Sequence, residues 1–134
     1  MDLKILEIAS HTDNNKILKN PTHKCKNKNS ICGDEMEISL IIKNSKVIDM
    51  GYQCKSCIYC QAAVSLLSQN IKNKNINDIK KFIEVCENVF EGTKIKFEKN
   101  WKSFKELFDK KNKSRKECLL LPFRTIGKAL NDKV

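Results

Sequence analysis

The chain has 134 residues, of which 40% are hydrophobic and 31% charged, with only 2 Pro and 4 Gly. That is enough for one hydrophobic core, and it excludes intrinsically disordered, collagen-like and loop-rich classes. The net charge is +10, yet only two of the 26 cations are arginine. No basic run is interleaved with stacking aromatics, so the charge reads as a solvated lysine surface rather than a nucleic-acid interface.

No apolar run approaches the ~20 residues that a membrane span needs. The start, MDLKILEIASHTD, lacks the basic-then-apolar layout of a secretory signal. A cytoplasmic protein is therefore expected. In a reducing compartment, 7 cysteines point to metal binding or thiol chemistry, because an odd count cannot pair off and structural disulfides are disfavoured there.

In chain order, Leu3, Ile5, Leu6, Ile8 and Ala9 predict a short helix over Leu3–Ala9, with His11 a surface residue beyond its end. Residues 14–30 are rich in Lys and Asn, show no apolar period and read as a mobile loop. His23 and Cys25 then fall on its surface. Alternation over Met36–Ile42 and again over Val47–Gln53 predicts two strands joined by the polar turn Lys43-Asn44-Ser45-Lys46. Two strands alone are marginal in water, so a third strand or packed helices must cover one face.

The hairpin brings its second strand back to the end at which Cys32-Gly33-Asp34 enters, and there the chain meets Cys54, Cys57 and Cys60. Ile58, Tyr59, Ala62, Ala63, Leu66, Leu67 and Ile71 follow at helical spacing. Thiols at a strand-to-helix junction lie near first-turn N–H groups, whose dipole favours anions. After a polar break at Lys72–Asn77, with Asn77 as the expected N-cap, a helix carries Ile79, Phe82, Ile83, Cys86, Val89 and Phe90. Cys86 lies on its apolar face and reads as core.

Gly92-Thr93 breaks the chain. Trp101, Phe104, Leu107 and Phe108 mark a further short helix with Trp101 as a core anchor, followed by the charged run Lys110–Lys116. A last helix is expected to start near Cys118–Leu121, with Pro122 in its first turn, where a missing N–H costs nothing. Cys118 would then also lie beside a helix N-terminus. There is no internal repeat.

Cys32 and Asp34, the Cys54/Cys57/Cys60 group and Cys118 are the candidates that the hairpin and helix starts could bring together, and three thiolates with one carboxylate make a set suited to tetrahedral Zn²⁺ or to iron. The thiolates bind firmly and the carboxylate exchanges more readily. Gly33 lets the backbone bend so that Cys32 and Asp34 face one point.

At this point the chain resembles the U-type iron–sulfur cluster assembly scaffolds, comprising IscU, SufU and the N-terminal domain of NifU. The matching residues are Asn20-Pro21, Cys32-Gly33-Asp34, Cys57 opening a helix, Cys118 near a final helix, and the break Lys72-Asn73-Lys74. The resemblance runs roughly from Asn20 to Leu130. Cys32 and Cys57 lie 25 positions apart and Cys57 and Cys118 lie 61 apart; the long second interval is similar to that of the SufU branch.

The resemblance implies an α+β fold, a small antiparallel sheet covered by four to five helices, with residues 1–134 as a single scaffold-type domain. It implies a non-enzymatic scaffold or a zinc-dependent sulfurtransferase that takes persulfide sulfur from a cysteine desulfurase. A transient [2Fe–2S] or [4Fe–4S] cluster, or Zn²⁺, would be held by Cys32, Asp34, Cys57 and Cys118, the three cysteines being candidate sulfur acceptors. Partners would be the desulfurase and apo iron–sulfur or carrier proteins.

This sequence also departs from the family pattern. Glu117 precedes the third cysteine, where IscU-like members carry histidine and SufU-like members a basic residue. Ser56 stands where glycine is common. Cys54 and Cys60 are additional and, with Glu117, are candidate accessory ligands. The competing readings are a structural zinc module, a thiol-redox module using Cys54/Cys57 or Cys57/Cys60, and a basic interaction protein without a metal site. The first lacks a second Cys-x-x-Cys knuckle, and the second lacks a βαβ context.

Overall fold

A computed structural model describes residues 3–29, 31, 33–91 and 99–131. In chain order these form α1 (Leu3–Ala9), β1 (His23–Lys28), β2 (Glu35–Lys43), β3 (Lys46–Lys55), α2 (Ile58–Ile71) and α3 (Ile76–Glu87). Two 3-10 segments, Lys99–Glu106 and Lys110–Arg115, then lead into α4 (Lys116–Ala129). The sheet is antiparallel in the order β1-β2-β3. Its architecture is the expected small sheet covered by four α-helices.

The β2–β3 hairpin forms where alternation places it. Asn44 and Ser45 both take positive φ, +52° and +62°, the combination a two-residue turn needs to match strand twist. Met36, Ile38 and Leu40 face inward opposite Cys54, Tyr52 and Met50. A register shift at Ile41/Ile42 leaves Ile48 as the extra residue of a bulge. Val47 and Met50, three positions apart, therefore both reach the core.

The third strand comes from the segment expected as a loop. His23–Lys28 pairs along β2, with Cys25 opposite Ile38. Cys25 is a buried core residue, not a surface one, and His23 is half-buried with its ring bonded to the Thr22 hydroxyl at 2.8 Å. Cys25 is the single apolar side chain in HKCKNK, so no apolar period could reveal the strand. The lysines at 24, 26 and 28 alternate instead on the outer face, as on many edge strands.

α2 is the central element: Cys60, Ala62–Ser68 and Ile71 are buried. It packs between α1, α4 and β3. α4 lies across β1 and β2 and also meets α3. Ser65 and Ser68 keep the interior side of α2 satisfied: the Ser65 hydroxyl donates to the His11 carbonyl and the Ser68 hydroxyl to the Ser65 carbonyl. Asn14, itself buried, donates to Ser68 Oγ at 3.1 Å and accepts from Lys72 Nζ at 2.8 Å.

An aromatic cluster closes the other end. Phe82 stacks on Trp101 with centroids 3.9 Å apart, and Phe104 and Phe123 meet Phe82 edge-on. Lys74 Nζ sits 4.3 Å over the opposite partner of this stack, the Trp101 ring. Trp101 is thus the core anchor its sequence context suggests.

Three local details differ from expectation. Asn75, not Asn77, caps α3, its side chain accepting from the Asn77 N–H. The Trp101–Phe108 helix is a 3-10 segment that ends at Glu106. α4 begins at Lys116, so Pro122 lies in its interior and cannot donate to the carbonyl of Cys118 four residues back. The preceding 3-10 turns already wind the chain in a helical sense, which brings the start forward. The Gly92-Thr93 break lies outside the described residues, and among the described residues no helix is long and apolar enough to cross a membrane.

Gly51 carries a constraint of close approach. A Cβ there would lie 2.5 Å from the Lys16 carbonyl oxygen, a backbone atom of the strap that crosses β3. Gly51→Ala should therefore lower stability by about 1–3 kcal/mol, read as a lower urea midpoint with unchanged slope.

Candidate metal centre

Three chain segments meet at the β2-entry end of the sheet. The first is the turn between β1 and β2. There the Asn29 N–H donates to the Asp34 carbonyl and the Gly33 N–H to the Asn29 carbonyl, both at 2.8 Å, while the Asn29 side chain accepts from the Ile31 N–H at 2.9 Å. Gly33 takes φ +74°, the left-handed region in which glycine is least strained. This tight closure delivers Asp34, 5% exposed, at the mouth of β2.

The second segment is the β3–α2 junction. Cys57 is the N-cap residue of α2 and its own side chain makes no capping bond. Asp34 supplies one from the entrance of β2: its Oδ1 accepts from the Cys57 N–H at 3.1 Å, and its Oδ2 stands 3.6 Å from Cys57 Sγ. A carboxylate at a helix N-terminus is favoured by the exposed N–H groups and the dipole. The third segment is the first turn of α4, where Cys118, 4% exposed, is the third residue.

One ligand atom from each of Asp34, Cys57 and Cys118 lies within 4.8 Å of the others. Thiolates around tetrahedral zinc, at bonds of ~2.3 Å, stand about 3.8 Å apart, so a contraction of about 1 Å would place all three on one ion. The donor set fits zinc or iron in kind: two soft sulfurs and one hard oxygen.

Cys32 lies outside the described residues. Cys54, Cys60 and Glu117 are not in this group. Cys54 is half-buried at the end of β3, where burial pushes its thiol up, the nearby Asp34 carboxylate and Cys57 sulfur adding to the rise. Cys60 is fully buried one turn into α2, and desolvation holds its thiol far above the ordinary range. The buried Ser56 hydroxyl has no hydrogen bond of full geometry but lies close enough to offset part of both shifts. Burial likewise raises the Cys86 thiol, which is part of the α3 core as expected.

The Glu117 carboxylate is held by Arg124 Nη1 two helical turns along α4, and Arg124 is in turn gripped by Glu87 of α3 through Nε at 3.0 Å and Nη2 at 3.3 Å. This bridge was not legible in the sequence, since Glu87 and Arg124 lie 37 positions apart. Nearby, the Arg115 guanidinium sits 5.2 Å over the Tyr59 ring, putting a cation beside the first turn of α2.

The fold and this cluster define a small α+β protein with a thiolate–carboxylate centre at the convergence of a strand entry and two helix starts. The model of the NifU-like N-terminal domain family matches residues 2–118. The iron–sulfur cluster assembly scaffold protein IscU of Thermotoga maritima is 30% identical over 104 residues, covering 77% of this chain and 72% of that protein. Two crystal structures superpose with a TM-score of 0.89. One is a NifU-like N-terminal protein from Brucella abortus, 18% identical, covering 97% of this chain and 91% of its own. The other is a SUF-system scaffold protein, SufU, from Fervidobacterium islandicum AW-1, 23% identical, covering 97% and 96%. The chain belongs to the NifU-like N-terminal domain family of iron–sulfur cluster assembly scaffolds.

Two expectations follow from this geometry. Asp34→Ala removes the bond to the Cys57 N–H and should cost about 1 kcal/mol of stability, read by chemical denaturation of metal-free protein. Burial raises the Cys54 thiol, so less thiolate is present at any given pH. Its alkylation by iodoacetamide, followed by peptide mass spectrometry, should therefore rise through a higher pH in folded protein than in urea-unfolded chain.

Proposed function

We propose that the chain is a scaffold and sulfur acceptor of the SufU type, with Cys32, Asp34, Cys57 and Cys118 as its working site. A cysteine desulfurase would supply sulfur as an enzyme-bound persulfide. A scaffold thiolate attacks the terminal sulfur, one S–S bond forms as another breaks, and the desulfurase cysteine leaves as thiolate. A two-electron reductant, such as a small thiol or an electron-transfer protein, would cleave that scaffold persulfide and release the sulfur as sulfide while regenerating the scaffold thiolate; iron joined to that sulfide would make a [2Fe–2S] or [4Fe–4S] cluster, which is cargo to be passed to apo-proteins or carriers. Zinc at the same residues would give a sulfurtransferase form of the same site. The setting would be the cytoplasm, and residues 1–134 would act as one domain.

The observation that carries this reading is the approach of Asp34, Cys57 and Cys118 to within 4.8 Å, although Cys57 and Cys118 lie 61 positions apart. Cys32 joins them on sequence grounds, being one residue from the Gly33 turn that delivers Asp34. The SufU assignment is supported by that long interval, filled in part by the two 3-10 segments before α4; Glu117 matches neither the histidine of IscU-like members nor the basic residue of SufU-like ones.

Each side chain has a distinct task. Cys57, at the N-terminus of α2, and Cys118, in the first turn of α4, present their sulfurs beside Asp34 at two helix starts; the thiolate is the form that attacks and ligates. Asp34 is the exchangeable donor. Its carboxylate has an alternative partner in the Cys57 N–H, so leaving the metal does not leave it buried without a hydrogen bond.

Metal content and cluster reconstitution test the reading. Anaerobically purified protein should carry zinc or iron, and should assemble a cluster when given a cysteine desulfurase, cysteine, ferrous iron and a thiol reductant. Cys32→Ser, Cys57→Ser and Cys118→Ser should each abolish binding, and Asp34→Ala should slow cluster release. Loss of binding in Cys54→Ser and Cys60→Ser, with retention in Cys32→Ser and Cys118→Ser, would overturn the ligand assignment.

A further inference from the structure

Glu117 is the residue immediately before Cys118, in the first turn of α4. Consecutive Cα atoms are about 3.8 Å apart, and a glutamate is long enough to swing its carboxylate toward a neighbour's ligand atom by rotation about its own side-chain bonds. Its carboxylate is nevertheless held elsewhere. Arg124 takes it with Nη1, while Nε and Nη2 of the same guanidinium are committed to Glu87 on α3. Planar, bidentate pairing of this kind fixes direction as well as charge. With Glu87 anchoring it from a second helix, Arg124 cannot follow Glu117 toward Cys118 without giving up two bonds.

A groove of about 490 Å³ opens onto this pair, bordered by Asn29, Ile31, Leu121 and Lys128. Its Asn29 wall is hydrogen-bonded directly to the Asp34 backbone. The groove thus adjoins the candidate centre at two places: through Glu117, next in sequence to Cys118, and through Asn29, whose backbone N–H donates to the Asp34 carbonyl. All three side chains of the bridge keep about a third of their surface exposed, so the pair can exchange partners without crossing a sealed core.

We propose that Arg124 is a positioning residue that latches Glu117 away from the Asp34/Cys57/Cys118 centre, and that Glu117 is a reserve oxygen ligand entering the coordination sphere when the latch opens. With the latch closed the centre keeps its sulfur-rich donor set. With it open, a second carboxylate competes with or supplements Asp34. The natural opener is an acidic group presented in the groove, which would compete for the same guanidinium.

The inference rests on the metal-binding reading above, and the test separates the two. Wild-type protein, Arg124→Gln and Arg124→Gln/Glu117→Gln are titrated with Co²⁺, whose visible spectrum reports coordination number and thiolate count, and with Zn²⁺ against a chelator. In Arg124→Gln the Co²⁺ ligand-field bands should weaken and shift toward five-coordination, and Zn²⁺ affinity should rise roughly tenfold, the scale of an outer-shell change. Both changes should vanish in the double variant. Arg124→Lys, which keeps a cation but loses the planar fork, should lie between wild type and Arg124→Gln, and it serves if Arg124→Gln does not fold.

A spectrum unchanged in Arg124→Gln, with or without an affinity gain, would mean that only charge had altered, and would overturn the latch. So would a spectral change that persists in the double variant. Failure of the wild-type chain to bind either ion would instead overturn the metal centre itself.

Discussion

The bond from the Cys57 N–H to the Asp34 carboxylate is where the fold and the chemistry of this protein coincide. It joins the entrance of β2 to the start of α2, two points 23 positions apart, and it uses one side chain for two purposes. As an acceptor at a helix N-terminus, Asp34 helps end a strand layer and begin a helix layer at one place. As a buried oxygen 3.6 Å from a thiol, it is also a ready metal donor. A buried carboxylate has to be stabilised by something. Here the N–H at the start of α2 does so.

Around that point the structure sorts its sulfurs by environment. Cys25, Cys60 and Cys86 are buried and act as small apolar side chains of the core, and desolvation suppresses ionisation of Cys60 and Cys86. Cys54 is intermediate, with burial reinforced by the negative surroundings of the site. Cys57 and Cys118 face Asp34 at helix starts. Thiols three residues apart in the sequence, at 54, 57 and 60, thus experience different fields. The lysine-rich exterior adds a cationic setting, and Arg124, clasped by two carboxylates, is the one guanidinium built into the frame between α3 and α4.

Periodicity made the hairpin and α1–α3 legible, because each has an apolar face dictated by its own residues. It failed at β1, whose inward positions are His23, Cys25 and Asn27. A strand with one apolar side chain is recognised by its pairing with β2, not by composition. The expected cap of α3 falls two residues late and the expected start of α4 two to five, since a helix boundary depends on which backbone groups find partners. Proline at 122 suggested a first turn, yet packing of Leu119–Phe123 against the sheet and α2 sustains the helix through it.

The sequence by itself determined the chemistry available: thiols at 32, 57 and 118, a carboxylate at 34, and a resemblance carried by their spacing. Covalent identity sets what a side chain can donate, and local pattern sets which element bears it. Only tertiary structure decided which donors meet, that Cys54 and Cys60 stand apart from the Asp34/Cys57/Cys118 group, and that Glu117 is engaged by an arginine reached through another helix. Those outcomes depend on the angle at which α4 crosses the sheet and on contacts between residues far apart along the chain, and no local run of residues encodes either.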